Sequence, residues 1–109
     1  MPISPKGYIH VLLVTKYNGV NPNDSETEMI NILKNAQWNH NPLIRNVFTK
    51  TFQAVENASL NGMANTIVGE LKIRRNSNLD VDIVMQIGNL GRSTLQIFDH
   101  TITSNPAYF

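Results

Sequence analysis

The stretch "MQIGNLGRSTLQIFDHTI", residues 85–102, places two strand-like runs on either side of a Gly-Asn-Leu-Gly turn. Glycine and asparagine accept the backbone conformations that tight turns need, so this segment predicts a hairpin. The run that leads into the turn alternates apolar and polar side chains, which is typical of a strand with one buried face. We therefore predict strands over residues 80–88 and 93–103, paired antiparallel.

Two further strands are predicted upstream of this hairpin. Residues 8–15, "YIHVLLVT", are apolar and rich in β-branched side chains, as expected of a buried strand. In residues 66–75, Ile67, Leu71 and Ile73 fall on one face at a period of two, with Gly69 as a gap between them, and Glu70 and Lys72 lie on the other face. This spacing predicts a strand that pairs with the next two in sequence order, as a three-strand meander.

Two helical segments are predicted between the first strand and the meander. Ser25 and Glu28 have the spacing of a capping box, which predicts a helix over residues 25–37. Pro42 marks a second helix start, and apolar residues continue at helical spacing to about residue 57. The sequence thus predicts one α+β domain over residues 1–109, in which a strand, a helical region and a three-strand meander form helices packed on an antiparallel sheet.

Charge and composition exclude several classes of function. The net charge is +1, and the basic residues are scattered apart from the group Lys72, Arg74 and Arg75. Nucleic-acid binding requires a basic face or stripe, so no nucleic-acid partner is expected. The apolar runs are too short for a membrane-spanning helix, so no membrane partner is expected. The absence of cysteine excludes disulfides and fits a reducing compartment, and we expect a cytoplasmic protein.

The histidines do not indicate a metal or catalytic centre. His10, His40 and His100 are far apart, and none stands at a metal-ligand spacing from another histidine or a carboxylate. Asp99 and His100 are neighbours in a predicted strand, so their side chains point to opposite faces and cannot pair. We predict no metal site and no cofactor.

The meander and two short motifs resemble the hotdog-fold acyl-CoA thioesterase and dehydratase superfamily. The motifs are "LGRST" at residues 90–94 and "YNGVN" at residues 17–21, which lie in the places of the family's "lGrsS" turn and of the loop before its helix. The resemblance implies a long helix wrapped by an antiparallel sheet. It also implies an acyl-thioester ligand held in a tunnel between protomers, and hence a homo-oligomer.

The resemblance further implies a set of site residues. Substrate contacts would come from Asn18, Gly19, Arg92 and Ser93. One branch of the family has a carboxylate in the loop, where this chain has Lys16. The catalytic carboxylate would then come from the start of the first helix, where the candidates are Glu28, Asp24 and Glu26.

Glu28 is the preferred catalytic residue because it lies about one turn inside the predicted helix and can turn toward the sheet. The alternative is that the acidic residues only cap the helix and stabilise its dipole. Two functions therefore remain open: an acyl-thioester-binding protein that hydrolyses acyl-CoA, or a non-catalytic binding or assembly module that forms homo-oligomers. A carboxylate facing an apolar groove would favour the enzyme.

Overall fold

A six-stranded antiparallel sheet and two helices form the fold. The computed structural model describes residues 8–53, 59–74, 79–98 and 101–107. The elements are β1 (Tyr8–Tyr17), α1 (Pro22–Asn35), β2 (Asn39–His40), β3 (Val47–Gln53), α2 (Leu60–Arg74), β4 (Asp80–Ile87), β5 (Gly91–Phe98) and β6 (Thr101–Ala107). The strand order in the sheet is β2-β3-β1-β4-β5-β6. The predicted α+β class with an antiparallel sheet is confirmed.

The first six elements follow the split βαβ arrangement, and the last two strands extend it. β1 lies between β3 and β4 and is antiparallel to both, and the short β2 borders β3. The order β-α-β-β-α-β with this pairing is the ferredoxin-like pattern. β5 and β6 then continue the sheet beyond β4 as a meander. The hotdog resemblance implies one long helix, whereas the sheet here carries two, and the resemblance is not confirmed.

Both helices pack on the same face of the sheet. Along β1, Val11, Leu13 and Thr15 are buried, while the intervening Leu12 and Val14 are exposed. β4 and β5 alternate in the same way. One continuous core joins the buried side of these strands to the apolar stripes of α1 and α2. The opposite side of the sheet, which we call the open face, is covered by no element of the described residues.

α1 begins earlier than the capping box predicts. Asn21 is its N-cap and Pro22 occupies the first turn, a position that tolerates proline because no partner is needed there. Ser25 is therefore inside the helix, where it is buried and its Oγ accepts a hydrogen bond from the Asp80 backbone N–H at 3.4 Å. The helix ends before Gln37, which adopts a positive φ of 70°.

The predicted second helix over residues 42–57 is wrong. Asn41 Oδ1 accepts hydrogen bonds from the Leu43 and Ile44 backbone N–H groups, both at 2.8 Å, so this segment is a turn. β3 follows it and pairs with β1 over seven residues, with Phe48 opposite Leu13 in the core. Residues 54–57 of the prediction lie outside the described residues.

The predicted strand over residues 66–75 is also wrong, because residues 66–74 belong to α2; residue 75 lies outside the described residues. Its buried residues recur at helical spacing: Met63, Ala64, Ile67, Val68 and Leu71. Ser59 directly precedes the helix and caps it, because its Oγ accepts a hydrogen bond from the Gly62 backbone N–H at 3.0 Å. The meander therefore consists of β4, β5 and β6, and the predicted strand over 93–103 is divided between β5 and β6, with residues 99–100 outside the described residues.

The glycine inside α2 allows a test of the helix assignment. A Cβ added at Gly69 would meet no atom within 4 Å, and glycine costs a helix interior about 1 kcal/mol relative to alanine. Gly69→Ala should therefore raise the free energy of unfolding by about 0.5–1 kcal/mol in urea titrations. The matched control is Gly88→Ala, where φ is +48° and a Cβ would lie 3.1 Å from Ile9 Cγ2. That variant should be destabilised, and a destabilised Gly69→Ala would contradict the helix.

Candidate functional site: the cleft at the start of α1

A cleft of about 510 Å³ opens at one end of the sheet, where β1 ends and α1 begins. Its walls come from the β1–α1 loop, the first two turns of α1, the start of β4 and the end of β5. The lining residues are Asn18, Gly19, Val20, Asn21, Asp24, Ser25, Glu28, Leu79, Asp80 and Phe98. The volume lies in the range of small-molecule sites.

The β1–α1 loop is held against β4 by two hydrogen bonds. The Asn18 backbone N–H donates to the Asp80 carbonyl at 2.9 Å, and Asn18 Nδ2 donates to Asp82 Oδ2 at 3.0 Å. Gly19 follows with a φ of +81°, and a Cβ there would lie 3.1 Å from Asp80 Oδ2. The close approach and the positive φ both require glycine, so the loop wall of the cleft is fixed in place.

Three carboxylate side chains line the cleft, and none of the described residues that line it is a lysine, arginine or histidine. Asp24 and Glu28 lie four residues apart on α1, so they share one face of the helix. Asp80 approaches from the start of β4, and Glu28 Oε2 is shielded from solvent. Val20, Leu79 and Phe98 contribute apolar side chains to the same lining. The cleft therefore combines carboxylates with apolar groups.

The structure brings together four of the predicted site residues. Asn18, Gly19, Asp24 and Glu28 all line the cleft, although they were selected from two separate segments of the sequence. Glu26 is directed elsewhere and forms an ion pair with Arg45.

Arg92 and Ser93 do not join this cluster. They lie at the start of β5, whereas β5 reaches the cleft only at Phe98, so the length of a strand separates them from it. Arg92 Nε donates a hydrogen bond to Gln86 Oε1 at 3.0 Å across the hairpin. Ser93 is buried against the core, opposite Met85. These two residues have no direct part in a site at the cleft.

The predicted site residues omit Val20, Asn21 and Ser25, which adjoin predicted ones in sequence, and Leu79, Asp80 and Phe98, which come from distant segments. The distant residues reach the cleft because β4 neighbours β1 and β5 neighbours β4, an order that no local pattern specifies. The signal that could have been used is "LDVD" at residues 79–82, where two carboxylates open an otherwise apolar strand. Charged groups at the start of a buried strand indicate a polar site at that edge of the sheet.

The helix start offers few donors for a bound carbonyl oxygen. Pro22 has no backbone N–H, and the Asp24 and Ser25 N–H groups donate to the Asn21 carbonyl at 3.2 and 3.3 Å. The Asn18 side-chain amide is engaged by Asp82. An oxyanion formed in the cleft would therefore meet few of the preorganised donors that acyl transfer requires.

Comparison with known proteins assigns no family to this chain. No family model, no curated protein and no solved structure matches it. Within the described ranges, no cluster of three histidines or carboxylates has the geometry to hold a metal ion. Neither described helix has the length and apolar character that crossing a membrane requires. Function must therefore be inferred from the cleft and from the surface of the sheet.

Tyr17, the last residue of β1, has its hydroxyl buried beside the cleft loop. Burial raises its pKa above the ordinary value, and Glu26 acts in the same direction, while Thr15 and Arg45 oppose the shift. The folded protein therefore favours the neutral phenol, and the unfolded chain ionises first as the pH rises.

This shift predicts a loss of stability at alkaline pH. The contribution of Tyr17 should be complete below the ordinary tyrosine pKa of about 10 and should be lost as the pH rises through the higher folded value. The unfolding free energy of wild type should fall more steeply above pH 10 than that of Tyr17→Phe, measured by urea titration at several pH values. Identical slopes would show that burial of the hydroxyl does not shift its pKa.

Proposed function

We propose that this protein binds a small ligand in the cleft at the start of α1. The observation that carries the proposal is the convergence of Asn18, Gly19, Asp24 and Glu28 in one cleft whose lining also includes apolar side chains. Ligand sites of this size commonly combine an apolar lining with a few fixed polar groups. The loop bonds to Asp80 and Asp82 keep these groups in place without a ligand.

The lining selects the chemistry of the ligand. Among the described lining residues, three carboxylates and no basic side chain favour a ligand whose polar part is neutral or positively charged. The apolar side chains of the lining favour a short hydrocarbon part. An acyl thioester with an uncharged carrier satisfies both requirements, whereas the phosphates of an acyl-CoA would be repelled. We therefore take short acyl thioesters of N-acetylcysteamine, an uncharged carrier, as the first ligands to test.

Binding without turnover is the role that the geometry supports best. Hydrolysis of a thioester needs donors directed at the developing oxyanion as well as a carboxylate. The Asp24 and Ser25 N–H groups and the Asn18 side chain already donate within the protein. The proposal is thus a non-catalytic binding module.

Hydrolysis of acyl thioesters is the second candidate function, and the position of Glu28 favours it. This carboxylate lines the cleft from the second turn of α1, with one oxygen shielded from solvent. A carboxylate beside a bound thioester can activate water or attack the carbonyl directly. Activity measurements on one matched pair of variants can separate the two candidates.

Binding at the cleft is tested with a pair of exposed loop residues. Val20 and Leu43 are 95% and 91% exposed, but only Val20 lines the cleft. Val20→Asp should weaken binding of butyryl-N-acetylcysteamine by roughly tenfold, through lost apolar contact, and Leu43→Asp should leave it unchanged. Calorimetry gives the affinities, and amide NMR shifts should be confined to the cleft. Equal effects of the two variants, or shifts elsewhere only, would overturn the cleft assignment.

Butyryl-CoA provides an electrostatic control for the same site. Its binding should strengthen as salt is raised from low to physiological ionic strength, because salt screens repulsion between its phosphates and the carboxylates. Binding of the uncharged thioester should change little. An affinity for butyryl-CoA that falls with salt would place its phosphates against a basic surface and contradict the charge argument.

Hydrolysis is tested with Glu28→Gln against Glu26→Gln. If the cleft hydrolyses thioesters, Glu28→Gln should lower turnover at least about a hundredfold. Glu26→Gln should retain turnover because its carboxylate pairs with Arg45. Absence of wild-type hydrolysis across short, long and aromatic acyl thioesters would eliminate the enzyme and leave the binding module. Full activity in Glu28→Gln would remove the catalytic role of this residue.

A further inference from the structure

The open face of the sheet carries an apolar patch at its centre. Leu12, Val14 and Val84 are 42%, 40% and 42% exposed. Val14 lies directly opposite Val84 on one side and Val47 on the other, so β3, β1 and β4 contribute to one contiguous patch. β-branched and leucine side chains on the uncovered side of a sheet are typical of a surface that packs against another surface.

Both signs of charge stand directly beside this patch. Lys16 and Asp82 are cross-strand partners, one pair further along β1 and β4 from Val14 and Val84, on the same face. A partner with a strongly basic or acidic surface would be complementary to one of these groups and would repel the other. A surface that carries the same two charges in mirrored order is complementary to both.

We propose that the open face binds a second copy of this chain. The two sheets would be related by a two-fold axis that lies midway between them, parallel to the strands and centred over the line between β1 and β4. Such an axis exchanges the positions of the two strands. Val14 then faces the partner's Val84, and Lys16 faces the partner's Asp82. Each contact occurs twice, as a closed two-fold interface requires.

The size of the sheet is sufficient for such a dimer. Five strands of seven to ten residues and the two-residue β2, about 4.8 Å apart, present a face of roughly 600 Å². Two faces together approach about 1,200 Å², the lower end of stable protein interfaces. The net charge of +1 produces little repulsion between copies. This inference does not depend on ligand binding at the cleft.

The test uses the proposed placement of β1 of one copy over β4 of the other. Lys16→Asp gives one protomer two acidic residues at this position, and Asp82→Lys gives another two basic residues. Each variant alone should repel its own copy and sediment as a monomer at about 100 µM, a concentration at which wild type should be a dimer. An equimolar mixture should form heterodimers, because each acidic residue then faces a lysine of the other protomer. If position 16 interacted only with position 82 of its own sheet, mixing the two variants would restore nothing, because each variant would keep two like charges in its own sheet.

The control is Lys34→Asp, which makes the same charge change on α1, on the other side of the sheet, and should remain dimeric. A monomeric wild type at 100 µM would overturn the proposal, and so would a mixture that stays monomeric.

Should either charge variant fail to fold, Val14→Cys serves instead, since the chain has no cysteine of its own. A short bismaleimide should crosslink Val14→Cys into dimers and should leave Lys34→Cys monomeric; equal crosslinking of both would overturn the interface.

Discussion

The central position of β1 is the constraint on which the rest of the structure depends. This strand pairs antiparallel with β3 on one side and β4 on the other. Its alternate residues Val11, Leu13 and Thr15 are buried beneath the helices, while Leu12 and Val14 face outward. A shift of register by one residue would exchange these sets, so burial on one face fixes the strand pairing. Both proposed surfaces follow from this strand: the cleft lies at its end, and the apolar patch lies on its exposed side.

Lys50 shows how the two helices are fixed over this sheet. From β3, its Nζ donates to the Ala36 carbonyl at the end of α1, at 2.6 Å, and to Glu70 Oε2 of α2, at 2.8 Å. The ammonium group also lies 4.9 Å from the centre of the Phe52 ring. A partly buried charge is costly to desolvate, so its contribution depends on having all these partners present. One side chain thereby joins three elements and favours a single arrangement of the helices.

The sequence predicts β1, α1, β4 and the β4–β5 hairpin because each has an unambiguous local signal. The sequence assigns β3 and α2 to the wrong type of element, because the apolar residues of both segments are spaced by four and this spacing fits a strand as well as a helix. Phe48 and Phe52, like Ile67 and Leu71, share one face of a strand and also nearly one face of a helix. Polar side chains distinguish the two structures instead: the Asn41 side chain forms a turn before β3, and the Ser59 side chain caps α2. The loop and α1 residues of the cleft were selected through the family resemblance, which is not confirmed, whereas Asp80 and Phe98 required knowledge of the strand order.

The two surfaces differ in the partner that each can accept, although the net charge of the chain is almost zero. The described residues of the cleft include three carboxylates and no basic side chain, which is the basis for proposing a neutral or cationic ligand. The open face places Lys16 beside Asp82, which is the basis for proposing a second copy rather than a uniformly charged partner. The net charge cannot reveal this difference, because the difference depends on which surface of the fold each charged residue occupies. The proposed ligand site therefore lies at the end of β1, whereas the proposed surface for self-association lies along its exposed side.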